Sequence, residues 1–223
     1  MTTASIPHLD RTASFAKKPR DSNRTDPSRM RVRIIETATQ LFRQVGHRKT
    51  TVADISREMS MSSANVYRFF RSKQAIEEAV AGELLQEVIL AASNAAHRDG
   101  PAIQRLRAVL LAVEQKQRFD SDHSNRLYEL VASAMLGNWT VASAYADRIN
   151  SMVAQIISEG QASGELPQGD PMTIARCVLS ATSPYLNPAL APGCARLARP
   201  TSSQMIDFCI GALGAVARQH RAA

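Results

Sequence analysis

Between Thr50 and Ile76 the run TTVADISREMSMSSANVYRFFRSKQAI contains three helix starts in quick succession, and this punctuation constrains the fold more than any other feature of the chain. Thr51 is an N-cap, and Asp54 three residues on completes a capping-box-like pair. Val52, Ile55 and Met59 then share one face of a helix of only about eight residues. Ser60-Met61-Ser62 suits a turn, because serine side chains compete for backbone groups and favour caps over helix interiors. A further helix is predicted from Ser62 or Ser63 to Phe70, with Val66, Phe69 and Phe70 apolar, and another starts at Ser72. Upstream, Asp26 offers an N-cap oxygen and Pro27 fits the first helical position, where its missing N–H has no partner to lose. Ile34, Ala38, Leu41, Phe42 and Val45 recur at three- and four-residue steps until Gly46 ends the helix. A longer helix bracing two short ones across a three- or four-residue turn is the helix-turn-helix arrangement.

The rest of the chain keeps a helical period. Helices are predicted at 74–98, 102–118, 122–136, 139–159, 171–183 and 203–220, most of them ended by Gly or Pro. No strand, hairpin dipeptide or internal repeat interrupts them. Four prolines between Pro184 and Pro200 predict an irregular loop before the last helix. The expected fold is all-α, with residues 1–25 a disordered basic tail, 26–75 a three-helix bundle that carries the helix-turn-helix and 76–223 a larger helical domain.

Charge separates these parts. Residues 1–75 carry 15 Lys and Arg against 6 Asp and Glu, whereas the remainder carries 12 against 14. A basic end on a near-neutral body fits either a polyanion-binding module or a solvated basic face. Lys17, Lys18, Arg20 and Arg24 suit a flexible arm reaching a minor groove or phosphates, or a solvated leader. Cys177, Cys194 and Cys209 lack metal-site spacing and are expected to be reduced and mostly buried. No metal or cofactor is expected. Neither a run of about 20 apolar residues nor a secretory h-region is present, so a cytoplasmic protein is expected. The five histidines (8, 47, 97, 123 and 220) fall in no catalytic pattern, and an enzyme is not expected.

The Thr50–Ile76 run resembles the DNA-binding signature of the TetR/AcrR regulators: Thr-Thr opening a helix with an inward Ile, the serine-flanked turn, Tyr-x-x-Phe, and Ser-Lys opening the next helix. The stretch EGQASGEL at 159–166 also resembles a family feature. The start of a recognition helix points into the major groove, which places Ser62, Ser63, Ala64, Asn65 and Arg68 near base edges. Arg48, Thr50, Thr51, Tyr67 and Lys73 suit phosphate contacts, with Lys49 and Arg71 adding attraction. Thr51, Ser62 and Ser72 equally serve as caps.

The resemblance implies that residues 26–75 are the DNA-binding domain and 76–223 the regulatory and dimerisation domain, with a homodimer formed through the last two helices on a pseudo-palindromic operator in double-stranded DNA, and a small-molecule effector. Ile174, Ala175, Val178 and Leu179, with Ile206, Ile210, Leu213, Gly214 and Ala217, suit close helix packing, either between subunits or within one. His123, Tyr128, Met135 and Trp139, among other aromatic and Met residues, suit either an effector cavity or plain core. A repressor released by a small molecule is the leading expectation. Its alternative is a DNA-binding regulator governed by a partner protein or by its own abundance.

Overall fold

The computed structural model describes residues 26–117, 125–187 and 200–222, with nine helices and no strand among them. The tail at 1–25, the segment around Phe119 and His123, and most of the proline-rich loop with Cys194 lie outside the described residues.

Helix α1 (Pro27–Val45) starts where its caps require, with Asp26 accepting from the Ser28 amide at 3.1 Å. Ile34, Ala38 and Phe42 form its buried face. It stops at Gly46, whose φ of 95° is costly for any residue with a Cβ, and the Gly46 amide closes the last turn onto the Phe42 carbonyl at 2.9 Å. In α2 (Val52–Glu58) both halves of the capping box form: the Asp54 amide donates to Thr51 Oγ1 at 3.2 Å and the Thr51 amide to Asp54 Oδ2 at 2.9 Å. The turn after it places Ser60 in the left-handed region, φ 54°.

Helix α3 (Ser63–Tyr67) is shorter than expected. Its Ser62 cap forms, but the chain tightens after Tyr67, where the Phe69 amide donates to the Val66 carbonyl at 2.9 Å. That turn carries Phe70 into the core and leaves Ser72 extended to cap α4 (Lys73–Ala96).

Five helices follow: α5 (Ala102–Gln117), α6 (Asn125–Leu136), α7 (Thr140–Ala162), α8 (Pro171–Leu186) and α9 (Ser202–Ala222). Helix α8 runs past Pro184, where a stop was expected. A proline leaves the carbonyl four residues back without its amide, and here the Ser183 hydroxyl donates to that Ser180 carbonyl at 2.8 Å. The EGQASGEL stretch ties α7 to α5. Glu165 accepts from the Ala102 amide at 2.6 Å, and Glu159 pairs with Arg105 at 2.7 Å. The Arg105 hydrogen bond holds the Glu159 carboxyl below its ordinary value. At Gly160 an added Cβ would lie 2.8 Å from Ala102 Cβ and 2.7 Å from Leu166 Cδ1, so α5 and α7 meet through a position that admits no side chain.

One continuous cluster of buried apolar side chains runs from Ile34 and Phe42 through Val88, Leu106, Leu130 and Ile157 to Ile206. The boundary expected at residue 75 is therefore not a gap in the core, because α4 belongs to both parts. One expectation needs correction. Cys177 is exposed, although Cys209 is buried as expected and its burial raises its thiol pKa. Of the residues suited to helix packing either between subunits or within one, Ala175, Val178 and Ile206 point inward within the chain. Helical period alone does not separate a core face from an outer one, and the outward side of α9 instead carries Phe208, 73 % exposed, and Gly211. No helix among the described residues is long and apolar enough to cross a membrane.

Candidate DNA interface

Val66 anchors α3 in the core, and Ser62, Ala64, Tyr67 and Arg68 around it are exposed. The Ser62 oxygen accepts from the Asn65 amide at 3.2 Å, which leaves its own O–H to donate outward. Asn65 is half-buried, and its side-chain nitrogen lies 3.7 Å from Met61 Sδ, an acceptor weak enough to be exchanged for a base edge. Ser63 is turned inward: its hydroxyl lies 3.0 Å from that of Ser56 and joins α3 to α2. Of the five residues expected near base edges, four are presented outward or at the rim and Ser63 faces α2.

The expected phosphate-binding residues divide similarly. Arg48, Lys49 and Arg71 are exposed, as is Tyr67. Thr51 is exposed, but its hydroxyl serves the capping box and donates to Asp54 Oδ2 at 2.7 Å. Hydrogen bonds from the Thr51 hydroxyl and amide hold the Asp54 carboxyl below its ordinary value, with a smaller contribution from Arg57. Thr50 is only 2 % exposed and its hydroxyl donates to the Gly46 carbonyl at 2.9 Å, so its side chain closes the loop after α1 and does not face solvent. Lys73 is partly held, with Nζ 3.4 Å from the Arg48 carbonyl and 3.3 Å from Glu77 Oε1.

Two positions that the sequence reading missed hold this unit in place. Arg31 reaches from α1 to stack over the Phe70 ring, 4.2 Å from its centroid, and donates to the Phe69 carbonyl just beyond α3. His47, in the loop after α1, is buried and bonds Glu77 on α4 at 3.1 Å. In sequence, the one available signal for His47 was a polar ring placed directly after the glycine that ends α1. Arg31 gave none.

The residues expected to line an effector cavity are not brought together. Met135 lines a cleft of about 280 Å³ with Asn138, Ala142, Tyr145 and Leu186. Tyr128 is half-buried, with burial raising its phenol pKa, and Trp139 packs against the core, but neither lines that cleft. Two larger clefts of about 500 and 760 Å³ lie between α4 and α7 and between α4 and α5. All three open to solvent.

A helix-turn-helix with most of the residues expected near base edges turned outward, carried on a helical body by a shared α4, has the layout of a DNA-binding transcriptional regulator. Residues 34–80 match the family model described as bacterial regulatory proteins, tetR family, and residues 102–204 match that of the tetracyclin repressor-like C-terminal domain. The chain belongs to the TetR family of transcriptional regulators. It is 24 % identical over 149 residues to the uncharacterized HTH-type transcriptional regulator YhgD of Bacillus subtilis, a match spanning 66 % of this chain and 76 % of that one. Its fold is similar to that of a TetR/AcrR-family regulator from Thermobifida fusca, with a TM-score of 0.60 at 20 % identity over 82 % of this chain and 96 % of the other. A putative transcriptional regulator from Pseudomonas aeruginosa PAO1 has a TM-score of 0.63 at 17 % identity, over 88 % and 96 % of the two chains.

Proposed function

We propose that the protein is a homodimeric repressor that reads a pseudo-palindromic operator through Ser62, Ala64, Asn65 and Arg68 and is released by a small-molecule effector. The observation that carries this reading is the outward row on α3, set among the exposed cations Arg48, Lys49 and Arg71. Arg68 suits a guanine edge, Asn65 an adenine edge and Ala64 a thymine methyl. Tyr67, Arg48 and Lys73 fix register on phosphates without reading sequence. Two recognition helices are needed to meet successive major grooves, and the exposed apolar side of α9 supports pairing through that helix. An effector that lowers operator affinity a hundredfold must favour the non-binding state by about 2.7 kcal/mol.

Fluorescence anisotropy on duplex DNA from upstream of the gene, beside a scrambled duplex across a salt series, tests the reading. Tight binding to the upstream duplex alone is expected, with a log–log salt slope of roughly −5 to −9. Tyr67→Ala should weaken binding to every sequence, whereas Asn65→Ala should relax discrimination at one operator position by about 1–3 kcal/mol. Full discrimination at every position in the Asn65 variant would remove that residue from the reading set.

One observation favours a second reading, in which no small molecule acts and a partner protein or abundance sets the regulation. Val88, Leu106, Leu110, Leu130, Val153 and Ile157 fill the space among α4, α5, α6 and α7, and the three described clefts are open. An effector screen by thermal shift, with no ligand raising Tm, supports this second reading over release by a small molecule.

A further inference from the structure

We infer that His47 is a positioning residue for DNA binding, fixing the helix-turn-helix to α4 through a part-buried hydrogen bond to Glu77. The inference rests on the DNA-binding reading and adds to it the part that sets the angle of the reading unit. The loop between α1 and α2 is already closed on itself, since the Thr50 amide and hydroxyl both bond the Gly46 carbonyl, at 3.2 and 2.9 Å. Its ties to α4 are the His47 ring on Glu77 and the Lys73 ammonium on the Arg48 carbonyl, and His47 supplies the part-buried one.

The His47 ring is 5 % exposed and lies edge-on to Phe42, and its Nδ1 is 3.1 Å from Glu77 Oε1. A carboxylate only accepts, so Nδ1 carries the hydrogen. The same carboxylate oxygen also takes the Lys73 ammonium, which in turn donates to the Arg48 carbonyl one residue beyond His47. Two donors from either end of the junction thus converge on one acceptor. The start of the loop is also approached from α6: Arg126 lies 3.7 Å from the point where a Cβ on Gly46 would sit. The loop thus contacts both α4 and α6.

The other ring nitrogen separates a positioning role from plain packing. Nε2 is buried and has no partner. An apolar ring would fill this space without that orphan, whose desolvation lowers stability. The orphan is the by-product of aiming Nδ1 at Glu77, and the directional bond is what an apolar ring cannot provide.

Three variants test this. His47→Phe keeps a ring and removes the donor; His47→Asn keeps a donor near the Nδ1 position; Glu77→Gln weakens the acceptor. His47→Phe should weaken binding to the upstream duplex about tenfold with Tm unchanged or raised, since a part-buried bond to a charged group is lost along with an orphan. His47→Asn should recover most of that loss, and Glu77→Gln should add nothing in the His47→Phe background. Affinity within about twofold of the parent in His47→Phe, or fully additive losses in the double variant, overturns the inference. Hydrogen exchange without DNA separates this from the wider reading. Exchange over residues 46–70 should quicken in His47→Phe while α5 and α7 stay as they were, and unchanged exchange there overturns the inference. If the parent protein binds no duplex yet its exchange responds as expected, the DNA-binding reading fails and the tie to α4 stands.

Discussion

At the scale of single residues, the caps are the most secure link between sequence and structure. Thr51 and Asp54 form a reciprocal pair within one turn, and that exchange holds the Asp54 carboxyl below its ordinary value. A depressed folded-state pKa contributes stability that is complete above the unfolded value and is lost as pH falls through the folded one. The Asp54→Asn protein should therefore melt below the parent at neutral pH, and the gap in Tm should begin to narrow below about pH 4 and close as pH falls through the lower folded-state value, where the parent carboxylate is protonated too. A gap of constant size down to pH 3 would show that the charge on Asp54 plays no part. Caps were legible because both partners lie within a few residues. His47 and Arg31 were not, because their partners lie 30 and 38 residues away. The inward turn of Ser63 and Thr50 was hidden for a related reason: a hydroxyl that serves a neighbouring carbonyl looks in sequence the same as one that serves a phosphate.

At the scale of elements, helix starts were read closely and helix ends less so. Starts depend on a cap residue and its next turn. Ends depend on what the chain must reach afterwards, as when α3 closes early to bury Phe70 and α8 continues through Pro184 because Ser183 serves the freed carbonyl. Contacts between elements were the least legible, and Gly160 shows why. Its value lies in the space taken by Ala102 and Leu166, neither of which a local pattern connects to it. Gly160→Ala should force α5 and α7 apart and lower stability by about 1–3 kcal/mol in urea unfolding, despite the better helix propensity of alanine. By contrast, Gly211→Ala meets nothing within 4 Å within one chain and should gain about 0.5–1 kcal/mol if α9 stays uncovered. Equal effects at the two positions would contradict the close approach at Gly160.

At the scale of the whole molecule, the all-helical layout and the position of the DNA-reading unit were visible in the period and the punctuation. A face for the proposed dimer was not, because apolar residues at helical period suit packing within one subunit as well as between two. The outward side of α9 carries Phe208 and Gly211. Phe208→Glu should convert a dimer to a monomer in sedimentation and weaken operator binding by at least about a hundredfold, since the second half-site is then no longer held near the first. A dimer that survives the substitution would place the interface elsewhere. An effector site was likewise unreadable, since core and cavity linings share a composition.

Helix α3 is five residues long, too short to hold itself together in water. Its shape is imposed from outside, by the Ser62 cap, by Val66 and by the turn that Arg31 secures. The outward positions 62, 64, 65 and 68 therefore carry little of the folding energy apart from the cap at 62, and most exchanges at 64, 65 and 68 leave the scaffold unaffected. If these positions read the operator as proposed, operator preference can drift through a series of single substitutions, each variant still folding, so that new regulatory wiring arises by mutation without passing through an unstable intermediate.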